Sequence, residues 1–277
     1  MTETDTRATV CLTVDFDAVS SWIHSFGEGD SPTNLSRGVF GADVGAPRLL
    51  DLLDRYDLPT TWFVPGHTVE SFPRVVEEVW ARGHDVEHHG WSHTRPSNYA
   101  DRASERADVE RGVEAIESLT GRRPTGYRSP SWDFSPNTLE ILQELGFEWD
   151  SSQMARDFEL YRLREGWRAP ADAPYERGTP TDIVEVPVSW QRDDFPALAF
   201  SRERGFADET AVFEMWRRQF DWMRENVDGG VFVLTVHPQV IGQSHRLANL
   251  EPLLEHMLAA DDVEFETVTS VVAEFSD

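Results

Sequence analysis

The chain has 277 residues, with 50 acidic and 25 basic side chains for a formal net charge of −25, and every one of the 25 bases is arginine, since lysine is absent. Such an excess of carboxylate repels nucleic-acid phosphates and anionic membranes, which excludes both as expected partners. The length suits one domain, 1–277, around one sizeable core, and a lysine-free acidic surface suits a cytoplasm at molar salt, where the Debye length is about 3 Å.

Cys11 is the sole cysteine, so an intramolecular disulfide and a Cys-rich zinc site are both excluded. Met1–Arg7 is polar and lacks the apolar core of a signal peptide, and no apolar run is long enough to span a bilayer. The expectation is a soluble, cytoplasmic protein.

In chain order, Thr9–Phe16 reads as a first strand, followed by a polar, Gly-rich segment from Ser20 to Gly41 and a helical pattern carrying Leu49, Leu50, Leu52 and Leu53. Thr60–Val64 is strand two, Val69–Arg82 a helix closed by Gly83, and Asp85–His88 a short strand three. A charged helix covers Asp101 to Leu119, Thr125–Tyr127 is strand four, Ser135-Pro136 opens a helix ending near Gly146, and Phe147–Trp149 is strand five. Residues 151–180 show no period and read as a surface excursion. Ile183–Val188, a helix over Glu209–Asn226, Val231–Val236 and a last long helix over Leu247–Leu258 complete the pattern. Strand and helix alternating this often predict a parallel sheet. A (β/α) barrel is favoured over an open, doubly wound sheet because polar residues follow so many strands and no glycine-rich phosphate motif is present.

Those polar residues carry the chemistry. Side chains alternate along a strand, so Cys11, Thr13 and Asp15, and with them Asp17, face the barrel interior and end at its mouth. Val231, Val233, Thr235 and His237 repeat the pattern. His89-Gly-Trp-Ser-His93 places two imidazoles four residues apart in a turn, where they converge. His84 and His88 have the same spacing but lie on a strand, about 13 Å apart at about 3.3 Å per residue, too far to share an ion. Two imidazoles and one carboxylate make an open three-ligand site that suits a divalent metal and activates water, with a second acid as base and His237 as proton donor to a departing amine. Zinc is the first expectation, and Mn, Co, Ni and Fe accept the same donors. Trp132, Pro130 and Trp91 are candidate substrate contacts, with Phe134 and Trp190 as further aromatic surfaces. His24, His67, His245 and His256 read as structural or solvated, and Asp193 and Asp194 as either a turn cap or a binder of a polar substrate group.

Taken together, Asp15-Phe-Asp17, the His89–His93 run, Arg128-Ser-Pro130-Ser-Trp132, Trp149-Asp150-Ser151 and Leu234-Thr-Val-His237 resemble, in this order, the polysaccharide deacetylases with a NodB-type domain, carbohydrate esterase family four. The resemblance implies a distorted (β/α) barrel of about seven parallel strands, with Asp17, His89 and His93 on the metal, Asp15 as base, Arg128 orienting it, and His237 as acid assisted by Asp150. Extracellular members carry adjacent acids, whereas Phe16 separates them here, so the division of base and ligand between Asp15 and Asp17 stays open. Ser36-Arg-Gly-Val-Phe40, Gly45-Ala-Pro-Arg-Leu-Leu50 and Asp193-Asp194-Phe-Pro196 resemble an intracellular branch, which implies a homo-oligomer, a tetramer by that likeness. The implied activity is hydrolysis of a non-peptide C–N bond in an N-acetylated carbohydrate or small amide. The alternatives are a cyclic imide or allantoin amidohydrolase and, from another class, a non-catalytic carbohydrate-binding protein.

Overall fold

A computed structural model describes residues 8–200 and 205–276, so the polar stretch Met1–Arg7 lies outside the described residues. Among the described residues, nine strands form one curled sheet: β1 (Ala8–Asp15), β2 (Thr61–Val64), β3 (Asp85–His88), β4 (Gly126–Tyr127), β5 (Trp149–Asp150), β6 (Tyr161–Glu165), β7 (Thr179–Glu185), β8 (Val231–Val236) and β9 (Val263–Phe265). Their order is β6-β7-β5-β4-β3-β2-β1-β8, with β9 beside the first half of β1. Every pairing is parallel except β6 with β7. The sheet curls into the expected barrel without closing by a full ladder. A single parallel bridge, Asp193 with Thr235, joins the segment after β7 to β8.

Eleven helices are described: α1 (Pro32–Phe40), α2 (Ala46–Arg55), α3 (Gly66–Ser71), α4 (Pro73–Ala81), α5 (Arg102–Thr120), α6 (Thr138–Leu145), α7 (Asp194–Leu198), α8 (Glu209–Asn226), α9 (Pro238–Ile241), α10 (Ser244–Leu258) and α11 (Val268–Ser276). α2 buries Leu49, Leu50, Leu52 and Leu53 against the outward face of β1, where Val10, Leu12 and Val14 point. Each such side chain contributes about 1.5–3 kcal/mol on burial. The inward face is a separate apolar cluster of Cys11, Phe63, Trp149, Val184, Val186, Val231 and Val233, joined by Val268, Val271 and Val272 of α11.

The seven strands expected from the sequence correspond to β1–β5, β7 and β8, with ends shifted by a few residues. Residues 151–180 are only partly an excursion, because β6 and the start of β7 form an antiparallel pair there. Its exposed Arg and Glu side chains hid the strand period. The Val69–Arg82 helix is two helices broken at Phe72-Pro73, since proline at the first turn of α4 cannot donate back into α3. The Ser20–Gly41 segment holds α1, capped by Ser31 accepting from the Asn34 amide, and a π-helical turn over Ser21–Ser25. Ser135 does not open α6, which starts at Thr138; the Ser135 hydroxyl accepts the Asn137 amide just ahead of it.

Candidate active site

β1 and β8 run in register, Thr13 opposite Thr235 and Val14 opposite Val236, so Asp15 and His237 leave the sheet at one level. The His89 side chain follows β3, and its loop is held from outside by Asp108 of α5, whose carboxylate accepts the Trp91 amide at 2.8 Å and the Ser92 amide at 3.1 Å. The turn between the imidazoles uses left-handed backbone at Gly90 (φ 69°) and His93 (φ 57°). Non-glycine residues in that region carry strain of about 1–3 kcal/mol each. Ala18, Ser131 and Trp132 share it, with φ of 48°, 59° and 53°. Four of the five described non-glycine residues with positive φ thus lie in segments that build one mouth.

At that mouth is a cavity of about 500 Å³, with Asp15, Asp17, His89, His93 and His237 among its lining residues. Its wall is aromatic. Trp132 meets Trp190 at 4.8 Å between ring centroids, Phe26 stacks on Phe195 at 6.1 Å, and Phe195 leans on His237 at 5.1 Å. Of the three substrate contacts expected, Trp132 lines this cavity, whereas Pro130 and Trp91 do not. Trp91 turns away, packed under the Arg111 guanidinium at 3.3 Å and against His24 and His67. In a turn of left-handed residues, neighbouring side chains leave in different directions, so the imidazoles point inward and the indole outward.

Asp17, His89 and His93 come together. The Asp17 Oδ1 atom lies 3.2 Å from His93 Nε2 and 3.6 Å from His89 Nε2, is buried and has no hydrogen-bond partner, while Oδ2 accepts the Gln239 amide at 3.3 Å. The tautomers follow from the outer partners. His89 Nδ1 donates to the Arg128 carbonyl at 2.7 Å, which leaves a lone pair on its Nε2. The Ser25 hydroxyl donates to the His93 carbonyl at 2.5 Å and so accepts from His93 Nδ1 at 2.6 Å, which leaves a lone pair on the second Nε2 as well. Two imidazole lone pairs and a bare carboxylate oxygen thus face one another with no proton between them, and a cation satisfies all three. Burial pushes His89 down to about 4, keeping it neutral. Burial alone raises Asp17, but the three imidazoles around it, His93 foremost, hold its carboxyl well below the usual range.

Asp15 is placed differently. Its Oδ1 accepts Arg128 Nη1 at 2.8 Å, and Arg128, fully buried, is fixed by Thr13, Ser151 and the face of Phe63. Its Oδ2 looks across the cavity floor, 4.0 Å from His89 Nε2 and 3.9 Å from His237 Nε2. His237 Nδ1 pairs with Asp194 Oδ1 at 2.7 Å and lies 3.5 Å from Asp193, and both Asp194 oxygens accept the His237 amide at 3.0 Å. Burial lowers His237, but Asp193, Asp194 and Asp17 overcome it and raise the imidazole to about 10; burial pushes Asp193 up to about 8.

Asp150 is not the partner of His237. It sits in register with Tyr127 and Glu185, facing the helices, and its carboxylate accepts from Ser152. The strand period of two turns Asp150 out and Ser151 in, so the motif position that meets Arg128 is Ser151. The sequence marks neither Ser25 nor Gln239 as a site residue, and it offers Asp194 as a turn cap or a binder of a polar substrate group, not as the partner of His237. Asp194 carried the one usable signal, an acid pair opening a short helix before Phe195-Pro196; Ser25 and Gln239 carried none.

Residues 39–149 match the family model described as polysaccharide deacetylase. The chain is 39% identical over 281 residues to the peptidoglycan deacetylase of Helicobacter pylori, covering 96% of this chain and 95% of that one. A solved Mycobacterium smegmatis structure assigned to the polysaccharide deacetylases superposes with a TM-score of 0.85 at 32% identity, over 99% of this chain and 92% of the other. A solved Puue allantoinase shares the fold, with a TM-score of 0.80 at 21% identity, over 99% of this chain and 91% of the other.

Proposed function

The chain belongs to the polysaccharide deacetylase family, and on that premise we propose that its cavity hydrolyses the C–N bond of an N-acetylated sugar, releasing acetate and the free amine. The observation that carries this is the bare Asp17 oxygen facing two imidazole lone pairs, beside a second carboxylate that Arg128 holds ready. Asp17, His89 and His93 are the proposed ligands of a divalent metal, zinc first. When bound, such an ion polarises the acyl oxygen and lowers the pKa of water toward about 7.

Asp15 is the proposed base, its Oδ2 taking the proton of the attacking water while Arg128 holds Oδ1. His237, protonated and tied to Asp194, gives its proton to the nitrogen as the C–N bond breaks. Trp132 and Trp190 form the platform on which a ring stacks. The compact, aromatic-walled cavity also supports a second reading, opening of a cyclic imide or allantoin by the same groups.

We further infer one domain spanning the chain and a salt-adapted cytoplasmic protein that forms homo-oligomers. Among the described residues no helix is long and apolar enough to cross a membrane. The melting temperature is expected to rise between low and molar salt as self-repulsion is screened; a value that stays flat or falls contradicts salt adaptation.

The activity is tested with zinc-loaded protein at molar salt, comparing N-acetylglucosamine oligomers with cyclic imides and allantoin, with Asp17→Ala as the blank. Acetate release lost in the variant is the expected result. Ring opening alone moves the chemistry to the second reading, and no turnover of either class leaves the non-catalytic binding protein.

A further inference from the structure

We propose that Ser152, anchored by the buried carboxyl pair of Asp150 and Glu185, is a positioning residue that sets the orientation of His89 through the peptide joining Arg128 to Ser129. The proposal rests on the metal-site reading above for the role given to His89.

The link is made of one rigid plane. A peptide unit is planar, so the Arg128 carbonyl and the Ser129 amide turn together. The carbonyl end accepts His89 Nδ1 at 2.7 Å, and the amide end donates to Ser152 Oγ at 2.8 Å. The single proton of the Ser152 hydroxyl is spent on Asp150 Oδ1 at 2.8 Å, so the oxygen is committed as an acceptor toward Ser129. Ser152 itself is held by its backbone, whose amide lies 3.1 Å from Asp150 Oδ2 and 3.0 Å from Glu185 Oε1, while the Gln153 amide reaches the same Glu185 oxygen at 2.8 Å.

Asp150 and Glu185 are both fully buried and in register on neighbouring strands, and Glu185 Oε2 has no hydrogen-bond partner. Two neighbouring carboxyls in a dry site disfavour carrying two charges, and burial together with Asp150 pushes Glu185 well above the usual carboxylate range. An apolar pair in the same register avoids that desolvation cost, and the acids cap the one serine that grips the 128–129 peptide. Ser151, the next residue in, holds the Arg128 guanidinium through its carbonyl at 2.9 Å and its hydroxyl at 2.8 Å. Residues 150–153 thereby fix Arg128 at both ends, its side chain toward Asp15 and its peptide toward His89.

The test compares zinc affinity, by chelator competition on full-length protein, for wild type and the isosteric pair Ser152→Thr and Ser152→Val. Both variants carry the same added bulk, so their difference reports the hydroxyl alone. Loss of an outer partner of a ligating imidazole weakens metal binding by about 10–100-fold. Ser152→Val leaves the Arg128 carbonyl in place but unanchored, so it is expected to bind zinc more weakly than Ser152→Thr by up to about tenfold, the low end of that range, with kcat falling in parallel and KM unchanged. Equal zinc affinities in the two variants overturn the proposal. A wild type that binds zinc and releases no acetate overturns the deacetylase reading and leaves the positioning role standing, whereas a wild type that binds no zinc overturns both.

Discussion

Replacing Asp15 with asparagine is expected to lower kcat by about 10³-fold, within the 10²–10⁴ range of a general base, with little change in KM. Asparagine keeps the size of the side chain and an oxygen for Arg128 Nη1, now 2.8 Å from Asp15 Oδ1, but it has no basic oxygen to turn toward the cavity floor between His89 and His237, where the attacking water is proposed to sit. The substitution also leaves the guanidinium of Arg128 buried without its counter-charge, and breaking a buried pair costs about 3–5 kcal/mol. The melting temperature should therefore drop, and turnover is compared below the transition of the variant with its folded fraction checked by circular dichroism. A kcat within tenfold of wild type at full folding removes Asp15 as the base.

The second large effect is on pH dependence. His237 must carry a proton to serve as the acid, and its raised pKa of about 10 comes from carboxylates that overcome the penalty of burial. Asp193, pushed up to about 8, gains its charge just below the pH at which the imidazolium begins to lose its proton, which extends the protonated range. Asp194→Asn removes the charge 2.7 Å from Nδ1 while retaining an acceptor there. The sign follows: with less negative charge beside it, His237 deprotonates at lower pH, and the alkaline limb of kcat/KM moves toward acid. A shift of about one unit or more, corresponding to about 1.4 kcal/mol, is expected, with the acid limb in place. An alkaline limb that does not move detaches Asp194 from the proton donor.

The parts of this site that lie on strand ends were legible in the sequence because alternation is a strict rule there. Thr13 and Asp15 on β1, Thr235 on β8 and His237 just after it fall on one face and one level by alternation alone, and the register of the two strands agrees. The same rule, applied to the two residues of β5, turns Asp150 outward, which the motif likeness alone did not show. Asp194 was harder, since it reaches His237 only because the segment after β7 folds back to bridge Thr235, a contact between residues about forty apart that no local pattern encodes. Ser25 sits on a π-helical turn inside a polar segment, where neither the 3.6-residue nor the two-residue period marks it. β9 and α11 were missed because a three-residue strand and a short terminal helix that plugs the inner face of the barrel offer too little length for a period to emerge.

The most direct measurement is zinc content after chelator stripping and equilibrium dialysis at molar salt, for wild type and for the double variant His89→Ala/His93→Ala. Wild type should take up about one ion per chain, as a three-ligand site open on one side does, and the double variant none. Zinc retained at full stoichiometry without both imidazoles contradicts the Asp17–His89–His93 site and points instead to the neighbouring cluster of Asp193, Asp194 and His237.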